Sequence, residues 1–315
     1  MNNDLGSNPN IDSQTLLNQI VLDYMKEKKR KRRWRWVFRI LILLVIAYFS
    51  YEMLNDNEDK GNSKPHVGVI DLNGEISDIK VNADDFAKGL SAAYKNDGLK
   101  ALIIRINSPG GSPVQAEYMY NSIKYYMKKH PDIKTYAVCV DLCASAAYYV
   151  AVAADEIYAS PASMVGSIGV IYNGFGFVDI MNKVGITRRL QTAGANKGFM
   201  DPFSPESDVQ KQKLQVMLDI VHQQFINRVK EGRGDRLHID DEIFSGLFWT
   251  GDQALDKGLI DGYASSGQLA RDTIKIDNLV DYTFKPNIFD RVTKGIGAAI
   301  ANELPESLGM KPGFR

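Results

Sequence analysis

Residues 99–112 read Leu-Lys-Ala-Leu-Ile-Ile-Arg-Ile-Asn-Ser-Pro-Gly-Gly-Ser. The isoleucine-rich run Leu99–Ile106 predicts a strand. It ends on Asn107-Ser108-Pro109-Gly110-Gly111-Ser112, and Gln115–Lys129 then reads as a helix. Upstream, Val67–Leu72 is a second β-rich run followed by the turn Asn73-Gly74, and Asp84–Lys95 has helical character. Downstream come a strand at Thr135–Val140, a helix at Ala144–Ala154 and a brief strand at Ile157–Ala159. Strands alternating with helices predict an α/β domain with parallel pairing. Farther on, Ser204-Pro205 is placed to open a long helix, with serine as N-cap and proline at the first helical position. Its apolar stripe of Leu214, Met217, Leu218, Val221, Phe225 and Val229 suits a core or a subunit interface, and Gly232 and Gly234 end it.

The chain has 315 residues, 44% of them hydrophobic, which is ample for a buried core. Its 38 basic residues balance 38 acidic ones, so no global basic surface for nucleic acid is indicated. The two cysteines, Cys139 and Cys143, share one apolar stretch at neither a CxxC nor a zinc spacing, and read as small buried hydrophobes. The histidines, His66, His130, His222 and His238, are scattered without paired-ligand spacing, and no metal or nucleotide motif is present. No cofactor is expected.

The balanced charge hides a dense cationic block, Lys26-Glu27-Lys28-Lys29-Arg30-Lys31-Arg32-Arg33-Trp34-Arg35. It abuts the apolar stretch Val37–Leu54, which has no charge from Ile40 to Tyr51 and is bracketed by Trp34, Trp36, Tyr48 and Tyr51. This predicts a single N-terminal transmembrane helix near the minimum spanning length, with Arg39 and Glu52 snorkelling to the headgroups. The positive-inside tendency puts the N-terminus in the cytoplasm and everything after Asn55 across the membrane. No A-x-A site follows the apolar stretch, which favours an uncleaved anchor. Leu16, Leu17, Ile20, Val21, Tyr24 and Met25 recur at helical spacing and suggest an amphipathic helix on the inner membrane face. The expected organisation is a cytoplasmic arm at 1–36, an anchor at 37–54, a polar linker at 55–65, a catalytic domain at 66–265 and an extension at 266–315, within which Ile288–Ile300 suits an amphipathic helix.

Four short stretches invite chemistry. Gly110-Gly111 permits backbone amides to converge on an anion, as an oxyanion hole requires, although an ordinary tight turn has the same sequence. Ser145, in Ala144-Ser145-Ala146-Ala147, stands at the start of a small-residue helix, where the Ala146 amide is a further candidate donor. Taken alone, that serine is as well explained by packing. Lys197, in Thr192-Ala193-Gly194-Ala195-Asn196-Lys197-Gly198, reads on its own as a solvated loop charge, and Ser167, in Val165-Gly166-Ser167-Ile168-Gly169-Val170, as a turn residue.

Taken together and in order, these stretches resemble a known family. The residues Ile106–Gly111, Ala144-Ser145 with Tyr148-Tyr149, Ala153–Ile157, Val165–Val170, Gly194–Lys197, Trp249–Ala254 and Gly258–Asp261 are similar to those of the ClpP/crotonase-like fold. More closely, they resemble the signal peptide peptidase A family of membrane-bound Ser–Lys peptidases in its short, single-domain form. The resemblance covers about two thirds of the chain. It implies Ser145 as nucleophile, Lys197 as general base and Ser167 as the hydroxyl that orients the lysine amine. Gly110, Gly111 and the backbone of Ala146 then form the oxyanion region. It also implies a homo-oligomer, and hydrophobic membrane-derived peptides, including cleaved signal peptides, as substrates hydrolysed through an acyl-enzyme. Members often carry two glycines directly after the nucleophile, where this chain has Ala146 and Ala147. A serine needs a base near neutral pH, and a lysine base must lose its charge by desolvation. The alternatives are crotonase-like acyl-CoA chemistry and a non-catalytic membrane scaffold of the same fold. The expected location is the bacterial inner membrane, single-pass, with the catalytic domain outside the cytoplasm.

Overall fold

The computed structural model describes residues 13–55 and 64–285. The chain divides into two units, residues 1–62 and 63–315. Among its described residues the first holds one continuous helix, α1 (Ser13–Asn55). The expected amphipathic segment, cationic block and apolar stretch therefore share one helix. Among the described residues no helix is long and apolar enough to cross a membrane. The physical reason is length: the uncharged run Ile40–Tyr51 rises about 18 Å, against about 30 Å of bilayer hydrocarbon.

The second unit is built on an eight-stranded sheet of order β6-β5-β3-β2-β1-β8, with β4 and β7 branching from β3. The elements in chain order are β1 (His66–Asn73), α2 (Ala83–Tyr94), β2 (Leu99–Ser108), α3 (Pro113–Lys129), β3 (Lys134–Ala144), α4 (Ala146–Ala151), β4 (Glu156–Ala159) and β5 (Met164–Gly166). Then come α5 (Val178–Lys183), α6 (Asp208–Arg233), β6 (Phe248–Thr250), α7 (Gly251–Asp256), β7 (Gly262–Tyr263), α8 (Ser266–Gln268) and β8 (Leu279–Asp281). Strands β1, β2 and β3 pair in parallel, with α2 and α3 as the crossovers.

Both faces of this parallel core are covered, which is why the strands read as continuous apolar runs. Ile70, Leu72, Leu102, Ile104 and Ile106 point into the larger cluster with Phe86, Leu90, Met119 and Tyr148. Val67, Val69, Ala101, Ile103, Tyr136 and Val138 pack on the other face against Leu269 and Ala270. The segment 266–285, set apart by sequence as an extension, thus contributes core residues, and its β8 lies parallel to β1. Ile288–Ile300 lies outside the described residues.

Two local expectations are corrected. The strand β3 runs on to Ala144 because its last residues pair with β5, which leaves the following helix only Ala146–Ala151. The long helix starts at Asp208 rather than after Ser204. Ser207 is its cap, accepting from Gln210 N at 3.3 Å, while the Ser204 hydroxyl is taken up by Asp201 Oδ2 at 2.6 Å. Of that helix's apolar stripe, only Phe225 and Val229 are buried.

Candidate active site

The site begins with a mismatch between two paired strands. Ile106 pairs with Cys139 and Ser108 with Cys143, so β3 carries extra residues at this point. Asn107 takes up the slack. Its Oδ1 accepts from Leu142 N at 3.2 Å and its Nδ2 donates to Asp141 Oδ2 at 3.0 Å. Beyond this bulge β3 continues beside β5, with Ala144 opposite Gly166, and stops. Cys139 and Cys143 are both buried and free, and burial pushes the Cys143 thiol up.

Ser145 then turns the chain sharply from strand into α4, at φ 54 and ψ −126. A left-handed φ is costly for a serine, about 1–3 kcal/mol, and survives only where surroundings fix it. Here the Ser145 N–H donates to Gly166 O at 2.8 Å, and its carbonyl accepts from Tyr149 N at 3.0 Å. The hydroxyl is half-buried, with no protein partner among the described residues. Neither Ala146 nor Ala147 has a positive φ, so both alanines sit in ordinary helical backbone.

Gly110 is pressed onto this turn. A Cβ on it would lie 2.7 Å from both Ala144 O and Ser145 Cβ, and 2.9 Å from Ala146 N. Its φ of 97 is a second reason for glycine there. Gly111 is held from the other side by a bridge to Ile76: Ile76 N donates to Gly110 O at 2.8 Å, and Ser112 N to Ile76 O at 2.9 Å. The Gly110 amide donates to the buried Ser108 Oγ at 3.1 Å. The amides of Gly111 and Ala146 have no protein acceptor among the described residues, so they remain available to an oxyanion beside Ser145.

Ser167 follows Gly166, the residue that anchors Ser145. It too has a left-handed φ, 51, with its N–H bonded to Leu247 O at 2.8 Å and its carbonyl accepting from Gly169 N at 2.9 Å. Helix α4 is fixed behind the site by charge. Arg228 forks onto Glu117, with Nη2 at 2.6 Å from Oε1, and Tyr149 donates to Glu117 Oε2. Burial raises the Glu117 carboxyl, but the hydrogen bonds from Arg228, Tyr149 and Asn121 outweigh it and hold the carboxyl below its ordinary value. Burial, then the bond to Glu117, pushes the Tyr149 hydroxyl up to about 12.

Five of the six residues singled out from sequence therefore converge. The sixth does not join them in the single chain. Lys197 is exposed, in a turn closed by its own N–H on Gly194 O at 3.1 Å, and its amine bonds neither Ser145 nor Ser167. It lies on an arm, residues 170–224, in which no residue is buried. One contact escaped the sequence reading: His222 of α6 approaches the Ile168 carbonyl, with Nε2 at 3.0 Å. Nothing in its sequence neighbourhood signals this, because the contact spans 54 positions. Among the described residues, no three His, Cys, Asp or Glu side chains group closely enough to hold a metal ion.

Comparison with known proteins finds similarity to two peptidase families. The family described as Peptidase family S49 matches residues 127–278, and the Clp protease family matches residues 66–166. A putative signal peptide peptidase SppA of Enterococcus faecium is 26% identical over 279 residues, 84% of this chain and 79% of that protein. The Brucella abortus protein named Na(+)/H(+) antiporter NhaA is 42% identical over 184 residues, 58% of this chain; the chain spans only 25% of that relative's length. Among solved structures, a membrane-bound stomatin-specific protease aligns at a TM-score of 0.44 and 20% identity, over 70% of this chain and 94% of that one. From His66 at the start of β1 to Asn278 beside β8, the chain is similar to these two peptidase families in succession.

Proposed function

We propose that the protein is a Ser–Lys endopeptidase that hydrolyses hydrophobic, membrane-derived peptides such as cleaved signal peptides. The observation that carries this reading is the serine turn: Ser145, strained at φ 54, with Gly110 in contact and the Gly111 and Ala146 amides unoccupied. In the proposed reaction, Ser145 Oγ attacks the peptide carbonyl while the uncharged amine of Lys197, oriented by Ser167, takes its proton. The oxyanion is received by the amides beside Gly110. The amine then returns the proton to the leaving nitrogen, and water hydrolyses the acyl-enzyme.

A lysine works as a base only in a dry setting, and the single chain leaves Lys197 exposed. In this reading a homo-oligomer supplies the cover. Ile171, Phe175, Met217 and Ile220 of the same arm are 84%, 75%, 57% and 64% exposed, an apolar surface of the kind that protein interfaces bury. The cationic block and the apolar run of α1 are proposed to hold the domain beside a bacterial inner membrane, N-terminus inside, within reach of such substrates. Similarity to two peptidase families and the unoccupied amides beside a serine support this reading over acyl-CoA chemistry or an inert scaffold.

The test is covalent trapping of the full-length, detergent-solubilised protein with a fluorophosphonate, followed by mass mapping. The expected adduct is on Ser145. Lys197→Ala is expected to abolish turnover of a short apolar chromogenic peptide while thermal stability holds. Modification elsewhere, or wild-type turnover in that variant, would overturn the assignment.

A further inference from the structure

We propose that His222 is a positioning residue for Ser167. This inference rests on the role given to Ser167 above. Ile168 lies between Ser167 and Gly169, and its side chain is fully buried. Its carbonyl faces Nε2 of His222 at 3.0 Å. A carbonyl only accepts, so Nε2 carries the proton whether or not Nδ1 is protonated as well. Ile168, the residue that follows Ser167, is thus pinned twice, by its own side chain packed in the core and by an imidazole N–H on its carbonyl.

The turn needs such pinning. A left-handed φ in a serine costs about 1–2 kcal/mol relative to relaxed backbone, so the conformation has to be imposed by its surroundings. The other bonds that impose it run between backbone groups: Ser145 N to Gly166 O, Ser167 N to Leu247 O and Gly169 N to Ser167 O. Among the described residues, His222 is the side chain that hydrogen-bonds this turn's backbone.

Its place on α6 gives the contact a second consequence. The helix has no buried residue before Phe225, one turn beyond His222. His222 therefore stands where the exposed arm, which carries Lys197, returns to the core. One hydrogen bond registers the base-bearing arm against the turn that carries the hydroxyl meant to orient the base. Gln224, two residues on, adds a second tie from this helix to the core, its Nε2 donating to Tyr149 Oη at 3.3 Å.

The experiment compares steady-state peptide hydrolysis by the full-length protein and its His222→Met, His222→Gln, Ser167→Ala and His222→Met/Ser167→Ala variants. Methionine removes the donor at similar volume, and glutamine keeps an N–H at similar reach. His222→Met is expected to lower kcat about tenfold, the factor that about 1.4 kcal/mol of relaxed strain produces, with KM nearly unchanged. His222→Gln should recover most of that loss. In the double variant the two defects should not multiply, because both act through one hydroxyl. Wild-type kcat in His222→Met, equal loss in the Gln and Met variants, or multiplied defects would overturn the inference and leave Ser167 in place. Wild-type activity in Ser167→Ala would remove Ser167 from the mechanism and this inference with it. If His222→Met does not fold, the glutamine variant decides alone: it must stay within about threefold of wild type, or the inference fails.

Discussion

Gly110→Ala is the sharpest probe of the site. The new methyl would sit 2.7 Å from Ala144 O and from Ser145 Cβ, and 2.9 Å from Ala146 N, all of them inside van der Waals contact. The φ of 97 adds strain of about 1–2 kcal/mol. None of the three neighbours is a flexible side-chain end, so the glycine turn and the serine turn must separate. A displacement near 1 Å costs about 10²-fold in rate, and loss of one oxyanion donor about 10²–10³-fold. The expected result is a fall in kcat of about 10²–10³, or about 2.7–4 kcal/mol, with little change in KM. Gly74→Ala is the control. Gly74 has a φ of 102 but nothing within 4 Å of a Cβ, so it bears the strain without the collision. It should lose about 1–2 kcal/mol of stability and keep its kcat. Chromogenic peptide hydrolysis and thermal melts measure both quantities. A folded Gly110→Ala variant with kcat within about threefold of wild type would refute the apposition of these two turns, as would an equal activity loss in Gly74→Ala.

Two further predictions concern what holds the site in place. The Glu117 carboxyl lies below its ordinary value in the folded protein, so its stabilisation is complete above the unfolded value and is lost as pH falls through the folded one. Glu117→Gln should therefore flatten the acid limb of stability below pH about 4.5 and cost about 1–3 kcal/mol at neutral pH, read by melts across pH; an unchanged acid limb would count against the network. Farther away, Arg233, 1% exposed, forks onto Asp261 at 2.7 and 2.9 Å, and Asp261 Oδ2 also accepts from Ile157 N at 2.7 Å. Asp261→Asn strands that buried guanidinium and should cost about 3–5 kcal/mol in a urea titration, with kcat of the folded protein preserved; an unshifted midpoint would show that the pair contributes nothing.

What was legible in the sequence was whatever local pattern determines. The parallel core could be read from Val67–Leu72 and Leu99–Ile106 because strands buried on both faces leave unbroken apolar runs. Gly110-Gly111 could be read as a special turn because its backbone excludes other residues. Ser145 and Ser167 gained meaning only from the order of motifs along the chain. The extent of β3 was not legible, because Leu142–Ala144 is held as strand by distant partners, β5, whose own run is three residues long, and Ser108 of β2. Nor was the cap at Ser207, since Ser204-Pro205 presents the better local signal and loses its hydroxyl to Asp201. The contact of His222 was invisible for the same reason as the Arg233–Asp261 pair: the partner lies on a distant segment, and nothing near either residue in sequence records it.

The pair Ala146-Ala147 shows how local conformation decides what a motif means. Glycines after a nucleophile matter if those positions must take a positive φ. In this chain the serine itself takes it, at φ 54, and the turn is complete before Ala146 begins the helix. The amide of Ala146 then leads from the turn with helical geometry, in which alanine is the most favourable residue. The demand for glycine moves across the groove to Gly110, whose Cα is the atom that must approach the turn. Close backbone contact beside Ser145 is therefore present, and the side of the contact that gives up its Cβ is the strand loop and not the helix. A chain that kept glycines at 146 and 147 while losing the one at 110 would keep the flexible positions and lose the contact that shapes the site.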